Sequence, residues 1–189
     1  MMNIAVLAWG SLIWDPRTLA CNGAFETGGP VLPIEFSRVS RNGRLTLVID
    51  PVHGTLCSTQ FAQSTHSKLA QAVENLRSRE GTTLNGIGWV KTSGQEISSS
   101  AFERHPGAAQ EIMSWATKHK WDAVIWTALG SNFERRTGLS SFSTENAITY
   151  LGSLPAETKR LAIEYILSAP SEIDTPFRRK FTSIFRTTT

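Results

Sequence analysis

An apolar run begins almost at the first residue, Ile4-Ala5-Val6-Leu7-Ala8-Trp9. It is cut by Gly10-Ser11 and resumes at once in Leu12-Ile13-Trp14. A run of this length reads as a buried strand, and Gly-Ser is turn chemistry. Because apolar residues follow directly, the turn does not simply escape to solvent. Two outcomes are open: a tight turn or bulge in a core strand, or a turn whose backbone N–H groups point into a concavity. Glycine permits close approach by another molecule and serine adds a hydroxyl. Such a concavity suits a carboxylate or a carbonyl oxygen.

The rest of the first half alternates strands and turns. Asn22-Gly23 and Gly28-Gly29-Pro30 mark a loop. Leu32 to Val39 and Leu45 to Ile49 read as strands joined through Arg41-Asn42-Gly43, a hairpin signal. Thr55 to Phe61 reads as a third strand. Short strands this closely spaced favour an antiparallel sheet or a small barrel. Ser64 to Glu80 reads as a helix, with Ser64 or Thr65 as its cap and Gly81 just past its end. Gly86 to Lys91 and Asp122 to Leu129 read as strands, and Ala108 to His119 as a helix. Ser98-Ser99-Ser100 is a loop or a helix start. From about Thr144 onward the chain reads as helical: Thr144 to Leu151, Pro155 to Leu167, and Pro176 to Phe185 with Asp174 or Thr175 as cap.

With 189 residues, 40% hydrophobic and 19% charged, the chain reads as one domain, residues 1–189, able to bury a real core. A net charge of +3 is too weak to argue for nucleic acid as a partner. The densest basic run, Arg178-Arg179-Lys180, reads first as a solvated helix face. Cys21 and Cys57 have neither metal nor redox spacing. His53, His66, His105 and His119 show no ligand spacing either, so no metal is expected. No stretch approaches the roughly 18 apolar residues of a membrane span. No basic region precedes the opening apolar run, so a cytoplasmic protein is expected.

Glu80 stands out on the expected helix. With Leu69 taken as zero, Val73 falls near ~40°, Leu76 near ~340° and Glu80 near ~20° around the axis. Glu80 therefore belongs to the apolar stripe, while Arg79 and Ser78 point elsewhere. A carboxylate in the last turn meets the negative end of the helix dipole. That position and partial burial both favour its protonated form, as a general acid/base at neutral pH requires. The plainer alternative is a frayed helix end whose Glu80 swings into water or pairs with Arg77 or another arginine.

These residues resemble a known family. Ala8-Trp9-Gly10-Ser11-Leu12-Ile13-Trp14 is similar to the Tyr-Gly-Ser-Leu signature of the gamma-glutamylcyclotransferase-like superfamily, most of all to its ChaC-type branch. Phe36-Ser37-Arg38-Val39-Ser40 and Gly43-Arg44-Leu45-Thr46 resemble a second part of that branch. Leu76-Arg77-Ser78-Arg79-Glu80-Gly81 resembles the helix end that carries the family's catalytic glutamate, with Glu80 at the matching position. The resemblance implies an α+β fold, a small mixed or antiparallel β-barrel flanked by helices. The segment from about 144 to 189 would be a helical extension. It also implies a gamma-glutamyl amine or peptide as substrate, held by Trp9, Gly10, Ser11 and Leu12. The products would be 5-oxoproline and a free amine, with no cofactor, no metal, and Glu80 as general acid/base.

There are departures. Trp9 stands where the family has Tyr, so a phenolic hydroxyl is missing. The acidic residue often found shortly before the glutamate is replaced by Arg77 and Ser78. The stretch from about 93 to 120 carries an extra helix. A non-catalytic small-molecule binding protein using the same pocket is therefore the alternative. Other constellations are weaker. Ser11 as a nucleophile would need a base such as His53, Arg44 is either a carboxylate ligand or a hairpin arginine, and Asn132 is a rim residue or a loop cap.

Overall fold

The opening run folds as a strand with every residue buried, β1 (Ile4–Ala8). In the computed structural model, which describes residues 1–185, six more strands follow: β2 (Cys21–Val39), β3 (Leu45–Ile49), β4 (Thr55–Ser64), β5 (Ile87–Lys91), β6 (Glu96–Ile97) and β7 (Ala123–Thr127). The helices are α1 (Leu69–Glu80), α2 (Ser99–Arg104), α3 (Pro106–Lys118), α4 (Phe133–Thr137), α5 (Thr144–Ser153), α6 (Ala156–Ser168) and α7 (Pro176–Phe185). The fold is α+β. Among the described residues no helix is long and apolar enough to cross a membrane.

The strands form one mixed sheet in the order β3-β2-β4-β1-β7-β5-β6. β1 runs antiparallel to β4 and parallel to β7. The expected barrel is not formed: the sheet keeps two edges, β3 and β6, which a barrel would have to pair. The β6 edge is only two residues long and offers little ladder for such closure.

By its contacts the chain divides into two compact units, residues 1–32 with 58–129, and residues 33–57 with 130–189. In the first unit, Ile4, Val6, Ala8, Leu12, Leu19, Ala72, Val73, Leu76, Ile87, Ala123 and Ile125 share a core. The α1 stripe inferred from helical spacing is thus the face that packs. In the second unit, Phe36 lies 5.4 Å from Phe177 and 6.3 Å from Tyr165, ring centre to ring centre. α6 packs on β3, and α5 on α7.

Three local expectations are corrected. β2 runs through Asn22-Gly23 and Gly28-Gly29-Pro30, which read as a loop. At Gly29 the backbone approaches β4 so closely that a Cβ would lie 2.9 Å from the Thr59 carbonyl oxygen, and the Thr59 hydroxyl donates to the Pro30 carbonyl at 2.7 Å. This glycine serves close strand approach, not a turn. Second, α1 begins at Leu69 because β4 continues to Ser64. The Ser64 and Thr65 hydroxyls donate to the Ala20 carbonyl, and Lys68 occupies the N-cap with no side-chain bond. Third, Arg178 is not part of a solvated face. Its guanidinium donates to the carbonyls of Ala169, Pro170 and Ile173, while Arg179 and Lys180 remain exposed. The end of α1 and the start of α7 match expectation: Gly81 is left-handed at φ 59°, and the Thr175 hydroxyl accepts the Arg178 N–H at 3.3 Å.

Candidate functional site

The first unit brings the opening turn and the end of α1 to one side chain, Arg79. After β1 the chain turns on two backbone bonds, Ile13 N–H to the Gly10 carbonyl at 3.0 Å and Asp15 N–H to the Ser11 carbonyl at 2.8 Å. The N–H groups of Ser11 and Leu12 find no acceptor among the described residues. Gly10 and Ser11 are half-buried. Trp9 is 5% exposed and Leu12 is 6% exposed within the core cluster. The Leu12 side chain thus anchors the turn in the core.

The segment after the turn is fastened to α1. Asn75 accepts the Ala20 N–H at 2.8 Å and donates to the Thr18 carbonyl at 2.9 Å. One helical turn further on, Arg79 lies on the same row. Its Nη2 donates to the Asp15 carbonyl and, at 3.4 Å, to the Ser11 hydroxyl. Its Nη1 donates to Glu80 Oε1. The expectation that Arg79 points away from the core stripe holds for its direction but not for its environment. Residues 15–20 cover that row of the helix, so Arg79 is only 4% exposed at the side chain.

Glu80 is 16% exposed at the side chain and forms an ion pair with Arg79. Of the plainer reading, the pairing with another arginine is what the structure has: the carboxylate faces the buried guanidinium of Arg79 and does not swing into water. Arg77 pairs elsewhere, with Glu74 at 2.6 Å, and covers the helix end by donating to the Thr82 carbonyl at 3.0 Å. The Arg79 Nε is buried and has no hydrogen-bond partner. Ser11 and Glu80, chosen from sequence, therefore meet through a residue the sequence reading set aside. The signal for Arg79 was its spacing of four from Asn75, two long polar residues on one row beside the apolar stripe.

The second stretch of family resemblance lies in the second unit. There Arg38 donates to the Gly130 carbonyl at 2.7 Å, and Arg44 lies over the Tyr165 ring, 5.8 Å from its centre. Asn132 exchanges both bonds with Val39, accepting its N–H at 2.7 Å and donating to its carbonyl at 3.1 Å. Asn132, the N-cap residue of α4 by position, thus spends its side chain on the strand and makes no side-chain cap bond. His53 sits against Asp50 at 3.3 Å and edge-on to Phe142. Among the described residues no group of three or more His, Cys, Asp or Glu is placed to hold a metal.

No family model, curated protein or solved structure matches the chain.

Proposed function

We propose that the chain is a gamma-glutamylcyclotransferase-like lyase that converts a gamma-glutamyl amine or peptide to 5-oxoproline and a free amine. One observation carries this reading: a single guanidinium, Arg79, joins the Glu80 carboxylate to the Ser11 turn. Among the described residues the backbone N–H groups of Ser11 and Leu12 in that turn have no acceptor. An acid/base and an oxygen-binding turn are the two parts such a cyclisation needs. The resemblance of residues 8–14 and 76–81 to the family signatures supports the same assignment.

In this reading the substrate's α-amine attacks its own γ-carbonyl, and Glu80 moves the protons. The attack is intramolecular, so positioning supplies much of the rate. A cytoplasmic setting belongs to the proposal.

A second reading, a binding protein without chemistry, is favoured by two features. The Glu80 carboxylate is already engaged by Arg79, and Trp9 lacks the hydroxyl of the family's Tyr. Release of 5-oxoproline from gamma-glutamyl dipeptides, glutathione and gamma-glutamylamines separates the two. Release by wild type and not by Glu80→Gln supports the lyase. Saturable binding with no release from any of them supports the binding protein.

A further inference from the structure

We infer that Arg79 is the specificity residue of this site: it takes the α-carboxylate of an amino-acid head group, and Glu80 is thereby passed to that head group's α-ammonium. The inference deepens the lyase reading and rests on the same site.

The guanidinium has five N–H donors. In the structure it has three acceptors, Glu80 Oε1, the Asp15 carbonyl and the Ser11 hydroxyl, and its Nε is buried with none. A cation buried to 4% exposure and short of acceptors is costly to maintain. The Ser11 hydroxyl that it reaches belongs to a turn whose Ser11 and Leu12 N–H groups have no acceptor among the described residues. Donors are thus in excess on the turn side, and a ligand carboxylate supplies what they lack.

The opposite pole is Glu80, the last residue of α1. A helix C-terminus favours a cation, and so does the carboxylate itself. A donor-rich pole and a cation-attracting pole therefore lie within the breadth of one guanidinium. The ligand class that presents an anion and a cation this close together is the α-amino acid head group. Charge accounting agrees. The free site holds one internal pair, and the zwitterion is neutral, so binding replaces one internal pair by two intermolecular pairs without adding net charge. A ligand with the carboxylate alone would leave Glu80 unpaired, and one with the amine alone would leave Arg79 unpaired. Either leaves a buried charge uncompensated.

The exchange also readies the reaction. Glu80, released from Arg79, faces the ammonium that must lose a proton before it attacks. The α-nitrogen forms its bond to the γ-carbon, and the amide C–N bond breaks. The two protons that leave the α-nitrogen end on the departing amine, which leaves as an ammonium; Glu80 carries them.

The test compares a gamma-glutamyl dipeptide with its α-carboxamide analogue, in wild type, Arg79→Lys and Arg79→Gln. The readout is the ratio of the two kcat/KM values for each protein, which a partly unfolded preparation does not change. Wild type should prefer the carboxylate by about a hundredfold, as a site built for an ionic hydrogen-bonding group rejects its neutral analogue. In Arg79→Gln the ratio should fall to within about threefold of unity, with Arg79→Lys between. Turnover with an unchanged ratio in Arg79→Gln overturns the inference and leaves the lyase standing. If wild type has no turnover, the lyase falls, and the same comparison is made by calorimetric binding. Discrimination lost in Arg79→Gln then upholds the inference. Binding that ignores the carboxamide change, or no binding of the dipeptide, overturns it.

Discussion

Glu35→Gln removes the carboxylate that is hardest to keep charged in the second unit. Glu35 is 1% exposed. Its Oε1 accepts the Phe36 N–H at 2.8 Å and the Thr175 hydroxyl at 2.7 Å. Burial pushes its pKa from 4.5 up to about 7; bonds from Thr175, Phe36 and Phe177 pull it down without offsetting that, and the Asp50 charge adds to the rise. A group whose pKa is raised on folding binds more protons in the folded state. Its contribution is fully present below 4.5 and is lost as pH rises through about 7. At about 1.4 kcal/mol per pH unit, a rise from 4.5 to about 7 amounts to about 3 kcal/mol. Gln keeps the volume and an acceptor oxygen but does not ionise. Urea unfolding of both proteins at about pH 4 and about pH 8.5 isolates the effect, because other titrating groups cancel in the difference. Glu35→Gln should gain about 3 kcal/mol on wild type between the acidic and the basic measurement. Any fixed cost of burying the amide shifts both points equally. A difference that does not change with pH would refute the reasoning.

Gly88→Ala would drive a methyl into the indole of Trp126, its fully buried cross-strand partner. It should destabilise by about 1–3 kcal/mol, and an unchanged melting temperature would contradict the close contact. Thr175→Ala removes both the bond to Glu35 and the cap on the Arg178 N–H. It should cost about 1–2 kcal/mol in urea unfolding; no loss would show that α7 is held without it. Burial pushes the Cys21 thiol up to about 11 and the Cys57 thiol also upward. Both should react slowly with a disulfide reagent at about pH 8 until urea is added, and immediate reaction of both would be inconsistent with their burial.

Much of the fold was legible because it depends on local pattern. The apolar run of β1, the Asn42-Gly43 hairpin, the Gly81 stop and the Thr175-Pro176 start all follow from near neighbours in sequence. What escaped depends on distant partners. Gly28-Gly29-Pro30 carries turn chemistry, yet the close approach of Thr59 makes it strand. Ser64 and Thr65 are good caps, but the Ala20 carbonyl claims their hydroxyls. Sheet closure depends on edge pairing that no local signal encodes. At the site, helical spacing found Glu80, and the Gly-Ser break found Ser11. Arg79 was lost because an arginine off the apolar stripe reads as solvated unless the segment that covers it is known. That segment, residues 15–20, is fixed by Asn75 and Arg79 themselves.

The most direct test of the account is 5-oxoproline release from gamma-glutamyl dipeptides, glutathione and gamma-glutamylamines by wild type and Glu80→Gln, side by side. The account predicts release by wild type and a loss of about a hundredfold or more in kcat for Glu80→Gln, the scale of removing a general acid/base. Full turnover by Glu80→Gln, or no release by wild type from any of these compounds, would contradict it.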